Sequence, residues 1–83
     1  MLKIDGFDDA IIGVGYRCGQ EEILVYDRDK IINIIMENSE SSYEEAEEYL
    51  SFNIEGAWMG EDTPIIVQKF DKQDLMVYIN KDG

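Results

Sequence analysis

The sequence contains no histidine, one cysteine (Cys18) and one proline among its 83 residues. Without an imidazole, the common triads and dyads in which histidine takes a proton from serine or cysteine are excluded. A single cysteine cannot form an intramolecular disulfide, and a lone thiol in a hairpin turn is usually inert, even beside Arg17. We therefore expect a protein that is not an enzyme and that needs no cofactor.

Basic residues are also scarce. The chain has 7 Lys and Arg and 19 Asp and Glu, so its formal net charge is -12. A field of this sign repels polyphosphates and anionic membranes and attracts basic protein surfaces. Direct binding of nucleic acid is not expected, because it requires cationic side chains that displace counterions. No run approaches the roughly 18 apolar residues of a membrane helix, and the amino terminus lacks the apolar stretch of a signal peptide. These absences predict a cytoplasmic protein.

The composition is nevertheless that of a folded chain, with 45% hydrophobic and 11% aromatic residues. Its length has room for a single domain spanning residues 1–83. A domain of this size buries only roughly 60% of the surface that its unfolded chain exposes. Self-association would add to its stability, so we expect a homodimer.

The distribution of β-branched and turn residues predicts two hairpins. Residues 10–17 and 22–26 are rich in Ile, Val and Tyr around a short turn, and Gly13 and Gly15 favour a bulge in the first strand. Residues 65–70 and 75–80 are predicted to form a second pair of strands joined by the turn 71–74.

Two helices are predicted between the hairpins. Asp27 can cap a helix that begins near Arg28 and runs through Glu37. Ser42 and Glu45 have the spacing of a capping box, which marks the start of a second helix. The resulting order is ββααββ, and it predicts an α+β, two-layer sandwich in which two helices cover one face of a four-stranded, mainly antiparallel sheet.

The second helix is amphipathic, and its polar side is almost purely acidic. The apolar side carries Tyr43, Ala46, Tyr49 and Leu50, and the acidic side carries Glu44, Glu45, Glu47 and Glu48. Phe52 falls among these glutamates, whereas Asn53 is interpreted as a helix C-cap. A solvated, solubilising surface explains such a charge run, and no specific spacing supports a metal site at Glu44 and Glu48.

Residues 56–64, which we call the Trp58 loop, combine glycines, a proline, Trp58, Met59 and Glu61. Large apolar side chains beside carboxylates are typical of protein interfaces, where the apolar group anchors and the charge orients. The alternative is that Trp58 folds back as a lid over the core.

Several strings in the chain resemble one group of proteins. They are FDDAIIGVG from Phe7, VYDRDK from Val25, SYEEA from Ser42, FN from Phe52 and GAWMGE from Gly56. Together they resemble a family of short uncharacterised acidic proteins from bacteriophages and marine or environmental metagenomes, and the resemblance covers nearly the whole chain. It implies a setting in a bacterial host cytoplasm, and no catalytic residue follows from it.

The sequence thus predicts a non-enzymatic interaction protein that binds a basic partner protein, in one version as a mimic of nucleic-acid phosphates. The predicted partner-binding residues are Glu44, Glu45, Glu48, Phe52, Trp58, Met59 and Glu61. Two alternatives stay open at this point. One is a small-ligand pocket beneath the Trp58 loop, and the other is a structural role by self-assembly through the uncovered sheet face.

Overall fold

The computed structural model describes residues 1–56, 60 and 62–80, and it has the predicted α+β architecture. Its strands and helices are β1 (Ile11–Gly15), β2 (Ile23–Asp27), α1 (Arg28–Ser39), α2 (Tyr43–Leu50), β3 (Ile65–Val67) and α3 (Lys72–Asn80). A 3-10 turn at Asp8–Ala10 precedes β1, and a π-helical turn at Ser51–Glu55 extends α2.

The first hairpin forms as predicted, with β1 antiparallel to β2 and Val14 opposite Leu24. The register shifts between Ile11 and Gly13, which makes Ile12 an extra residue on β1. The bulge that the glycines indicated is therefore confirmed. Burial still alternates along β1, so Ile11 packs against the core while Val14, on the opposite face, is exposed.

The sheet differs from the prediction in its strand number and direction. It has three described strands in the order β1-β2-β3, and β3 runs parallel to β2 with Val25 beside Ile65. The chain passes through α1 and α2 between these strands, and such a helical crossover is what returns a strand in the same direction. The sheet is mixed, and the predicted ββααββ order with a four-stranded, mainly antiparallel sheet is wrong.

The predicted fourth strand, residues 75–80, belongs to helix α3. The amide of Leu75 donates to the carbonyl of Asp71 at 2.8 Å, so the predicted turn 71–74 is instead the first turn of this helix. The rings of Phe70 and Tyr78 lie 5.4 Å apart and tie the helix to the segment before it. A short unbroken apolar run such as 75–79 has no period that distinguishes strand from helix, which explains the wrong prediction.

The core lies between the sheet and helices α1 and α2. Its buried cluster consists of Ala10, Tyr26, Ile31, Ile32, Ile35, Ala46 and Leu50. The fully buried Tyr26 also accepts a hydrogen bond from the amide of Ile4 at 2.9 Å through its hydroxyl, which holds the amino-terminal segment against β2. Across the described ranges, no helix has both the length and the apolar character needed to cross a bilayer.

The hydrogen bonds of Asp27 confirm the predicted start of α1, and its side chain contacts three parts of the chain. Its carboxylate accepts hydrogen bonds from the amides of Asp29 at 2.9 Å and Lys30 at 3.4 Å. Its other oxygen lies 3.4 Å from the ammonium of Lys69, just beyond β3. The buried carboxylate therefore fixes the end of β2, the start of α1 and the segment after β3.

Candidate functional site

The first turn of α2 is fixed by the predicted capping box, and both of its hydrogen bonds are present. The hydroxyl of Ser42 accepts from the amide of Glu45 at 3.2 Å, and the carboxylate of Glu45 accepts from the amide of Ser42 at 3.1 Å. The Ser42 amide, and to a smaller extent the Ser42 hydroxyl, lowers the pKa of Glu45 below its ordinary value because hydrogen bonding to the carboxylate favours the ionised form. The Glu45 carboxylate is therefore already engaged in starting the helix.

A second pair of carboxylates is held by Arg28, the first residue of α1. Its guanidinium lies 3.5 Å from Glu47 of α2 and 3.3 Å from Glu55 of the π-helical turn. Burial opposes the charge of Arg28, but the two carboxylates outweigh this effect and raise the pKa of Arg28. We call this three-residue contact the Arg28 clamp, since it fastens α2 and the π-helical turn, together called the acidic segment (residues 43–55), to α1.

The clamp and the capping box leave two glutamates of α2 uncommitted. Over the part of the chain that the structure describes, the side-chain carboxylates of Glu44 and Glu48 have no hydrogen-bond or ion-pair partner. They stand four residues apart, which is a rise of about 6 Å along one side of a helix. Their charge is therefore available to a partner outside the chain.

Phe52 lies next to these free carboxylates and is 82% exposed. A wide, shallow depression is lined by Glu44, Glu47, Glu48, Ser51 and Phe52. We call Glu44, Glu48 and Phe52 together the acidic face. Aromatic side chains and charged groups are the side chains that contribute most at protein interfaces, so this surface is a candidate binding site.

The π-helical turn determines where Phe52 is presented. The amide of Gly56 donates to the carbonyl of Ser51 at 3.1 Å, which is the wider spacing of a π-helix. The side-chain amide of Asn53 donates to the carbonyl of Tyr49 at 3.2 Å, but Asn53 lies inside the π-helical turn and the C-cap of α2 is Ser51, so the predicted C-cap position is wrong. Turns of this kind occur frequently at functional sites.

Two other depressions are too small for most ligands. One, of about 220 Å³, lies among Phe7, Ile35, Asn38, Ser39 and Tyr49. The other, of about 180 Å³, lies at the two ends of the Trp58 loop and is lined by Ile54, Glu55, Thr63, Pro64 and Ile66. Ligand pockets usually enclose roughly 300–1,000 Å³. Both depressions bring together residues far apart in sequence, so no local pattern could have indicated them.

The structure thus brings together three of the predicted partner-binding residues, namely Glu44, Glu48 and Phe52. Glu45 is engaged in the capping box, away from the residues that line the depression. Trp58, Met59 and Glu61 lie outside the described residues, so their role stays a prediction. Sequence reasoning missed the Arg28 clamp, because its partners are 19 and 27 positions away along the chain.

Within residues 1–56, 60 and 62–80, no group of three or more Cys, Asp or Glu side chains is placed to hold a metal ion. No protein-family model, curated protein or solved structure matches the chain.

Proposed function

We propose that this protein is a non-enzymatic interaction protein that binds a basic surface of a partner protein through its acidic face. The observation that carries the proposal is the juxtaposition of two uncommitted carboxylates, Glu44 and Glu48, with the exposed ring of Phe52. Charges at an interface steer and orient the partner, while a buried aromatic side chain supplies most of the affinity.

The contacts that the other glutamates of this region make within the chain support the assignment of Glu44 and Glu48 as the partner-binding charges. Glu47 and Glu55 share an ion-pair partner in Arg28, and Glu45 caps the helix. A surface that only kept the protein soluble would need no such arrangement around one exposed phenylalanine. The Arg28 clamp instead holds the helix and the π-helical turn in a fixed relation, and this preorganises the acidic face for binding.

The net charge of -12 defines the chemistry of the partner as basic. Proteins that bind nucleic acid carry such surfaces, so the proposal includes a version in which the acidic face occupies a nucleic-acid site. The resemblance to short bacteriophage proteins supplies the setting, which is a bacterial cytoplasm. In the proposal, Trp58, Met59 and Glu61 extend the surface beyond Phe52.

The test begins with capture of partners from bacterial lysate at low and high salt, followed by titration of the purified partner. We expect Phe52→Ala to weaken binding about tenfold, which corresponds to about 1.4 kcal/mol for one aromatic anchor. Glu44→Gln with Glu48→Gln should weaken it to a similar extent and reduce its dependence on salt. For the mimicry version, double-stranded DNA should compete with the protein for the partner.

A matched control separates the acidic face from the general negative field. Glu21→Gln with Glu22→Gln removes the same two charges at the exposed turn between β1 and β2. If this control weakens binding as much as the change at Glu44 and Glu48, affinity follows net charge alone and the proposed site is wrong. Binding that is unaffected by Phe52→Ala would remove the aromatic anchor from the proposal.

A further inference from the structure

Helix α3 is an apolar helix with no buried residue. Its run of Leu75, Met76, Val77, Tyr78 and Ile79 surrounds the helix, and each of these side chains is 40–71% exposed. The first three residues of α3 and its last are polar, but a helical stretch that is apolar on all sides, as 75–79 is, is normally found inside a protein. Its exposure therefore indicates a surface that is covered in the working form of the protein.

Among residues 1–56, 60 and 62–71, the buried core does not provide this cover. No side chain of α3 belongs to the buried core or to the described shell of side chains packed on it. The radius of gyration is 14.1 Å, whereas a compact domain of this length has roughly 12 Å. A nine-residue helix is also marginal in water on its own, so α3 gains stability when an outside surface buries it.

Charge identifies which surface can approach α3. Residues 68–80 carry Lys69 and Lys72 against Asp71 and Asp74, so this segment is neutral within a chain of net charge -12. Two copies repel each other over their acidic surfaces, but not where their α3 helices meet. A basic partner, in contrast, is drawn to the acidic face of α2 rather than to a neutral apolar helix.

The size of the patch agrees with a small, symmetric contact. Exposed apolar patches of roughly 300–600 Å² on a monomer are often functional, and Leu75, Tyr78 and Ile79, at helical spacings of three and four, form one continuous exposed apolar side of α3. A standard interface buries about 800 Å² on each partner. Phe70, with a third of its surface exposed, and the polar residues of α3 add to the area available to a second copy.

We propose that α3 is the contact through which two copies of the chain form a symmetric dimer. In such a dimer the same patch lies on both sides of the interface, and each helix buries the apolar side chains of the other. The acidic face remains free on each copy, because it lies on α2 and its π-helical turn. The dimer would then present two acidic faces to a basic partner.

Sedimentation equilibrium of the full chain tests this proposal over a range of concentration and salt. We expect association from 9.6 kDa monomers to dimers, and several-fold tighter association when NaCl rises from about 0.05 to about 0.5 M, because salt screens the repulsion between copies. Binding of a basic partner at the acidic face should instead weaken as salt rises. Failure of the dimer proposal is therefore distinguishable from failure of the proposed function.

Val77→Ser combined with Ile79→Ser should weaken dimerisation at least tenfold and leave the core folded by circular dichroism, since α3 contributes nothing to the buried cluster. Phe52→Ser is the matched control, because it replaces an exposed apolar side chain on another helix, and it should leave the dimer intact. A wild-type chain that stays monomeric at about 0.5 mM in either salt condition overturns the proposal. A dimer that survives the α3 changes, or is lost in the control, also overturns it.

Discussion

Replacing Arg28 with methionine tests whether the Arg28 clamp holds the acidic segment in place. Methionine keeps most of the alkyl stem of the arginine but removes both ion pairs. Glu47 and Glu55 are 41% and 40% exposed, so each pair lies in the solvent-screened range of about 0.2–1 kcal/mol. Arg28 itself is only 18% exposed, which places both pairs toward the upper end of that range.

We therefore expect Arg28→Met to lower the free energy of unfolding by about 1–2 kcal/mol, including the repulsion between the two glutamates that it leaves unpaired. Urea unfolding followed by circular dichroism measures this loss, and the melting temperature should fall by about 4–8 °C for each kcal/mol. Amide hydrogen exchange should accelerate most across residues 51–56, because the clamp fastens the π-helical turn that presents Phe52.

Lys30→Met is the matched control, since it removes one positive charge from an exposed position on the same helix. We expect it to change stability by no more than about 0.5 kcal/mol. Adding Glu47→Gln and Glu55→Gln to the Arg28 variant should restore part of the loss, because the repulsion disappears. Equal effects of the two methionine variants, or unchanged exchange at residues 51–56, would refute the reasoning.

Two further predictions concern stability. Tyr26→Phe leaves the amide of Ile4 without its acceptor, so the free energy of unfolding in urea should fall by about 1–2 kcal/mol. The control Tyr16→Phe, at an exposed position, should change it little. Equal effects of the two variants would contradict the role of the Tyr26 hydroxyl. Glu40 follows α1 with a left-handed φ of 52°, so Glu40→Gly should raise the free energy of unfolding by about 0.5–1 kcal/mol. The control Glu37→Gly, within α1, should instead lower the free energy of unfolding. If the melting temperature of the Glu40→Gly variant does not rise, the left-handed backbone at Glu40 is not strained.

The helix starts could be predicted from sequence because the interactions that fix them are local. Asp27 caps the residues two and three positions later, and Ser42 and Glu45 cap each other within one turn. The direction of β3 and the helical state of residues 75–80 depend instead on contacts and solvent that the local sequence does not encode. An apolar run of five residues suits either a strand or a helix.

In the candidate site, too, features set by local interactions could be predicted and features set by distant contacts could not. Phe52 was identified because its position in the helical repeat places it among glutamates, which is a local pattern. Which glutamates stay free could not be read from the pattern, since Arg28 selects Glu47 and Glu55 from a distant part of the chain. The local capping box already sets Glu45 apart, but only the fold distinguishes Glu44 and Glu48 from Glu47.

The strand order has a consequence for how the chain avoids uncontrolled aggregation. The two outer strands of the described sheet are β1 and β3, whose unpaired backbone groups would normally template the addition of further strands. The bulge at Ile12 disrupts the ladder on β1, and β3 is only three residues long with Lys69 close behind it. Neither edge offers a regular ladder for another chain to extend, so copies that meet must associate through side chains, and such contacts can close as a pair rather than grow into a fibre.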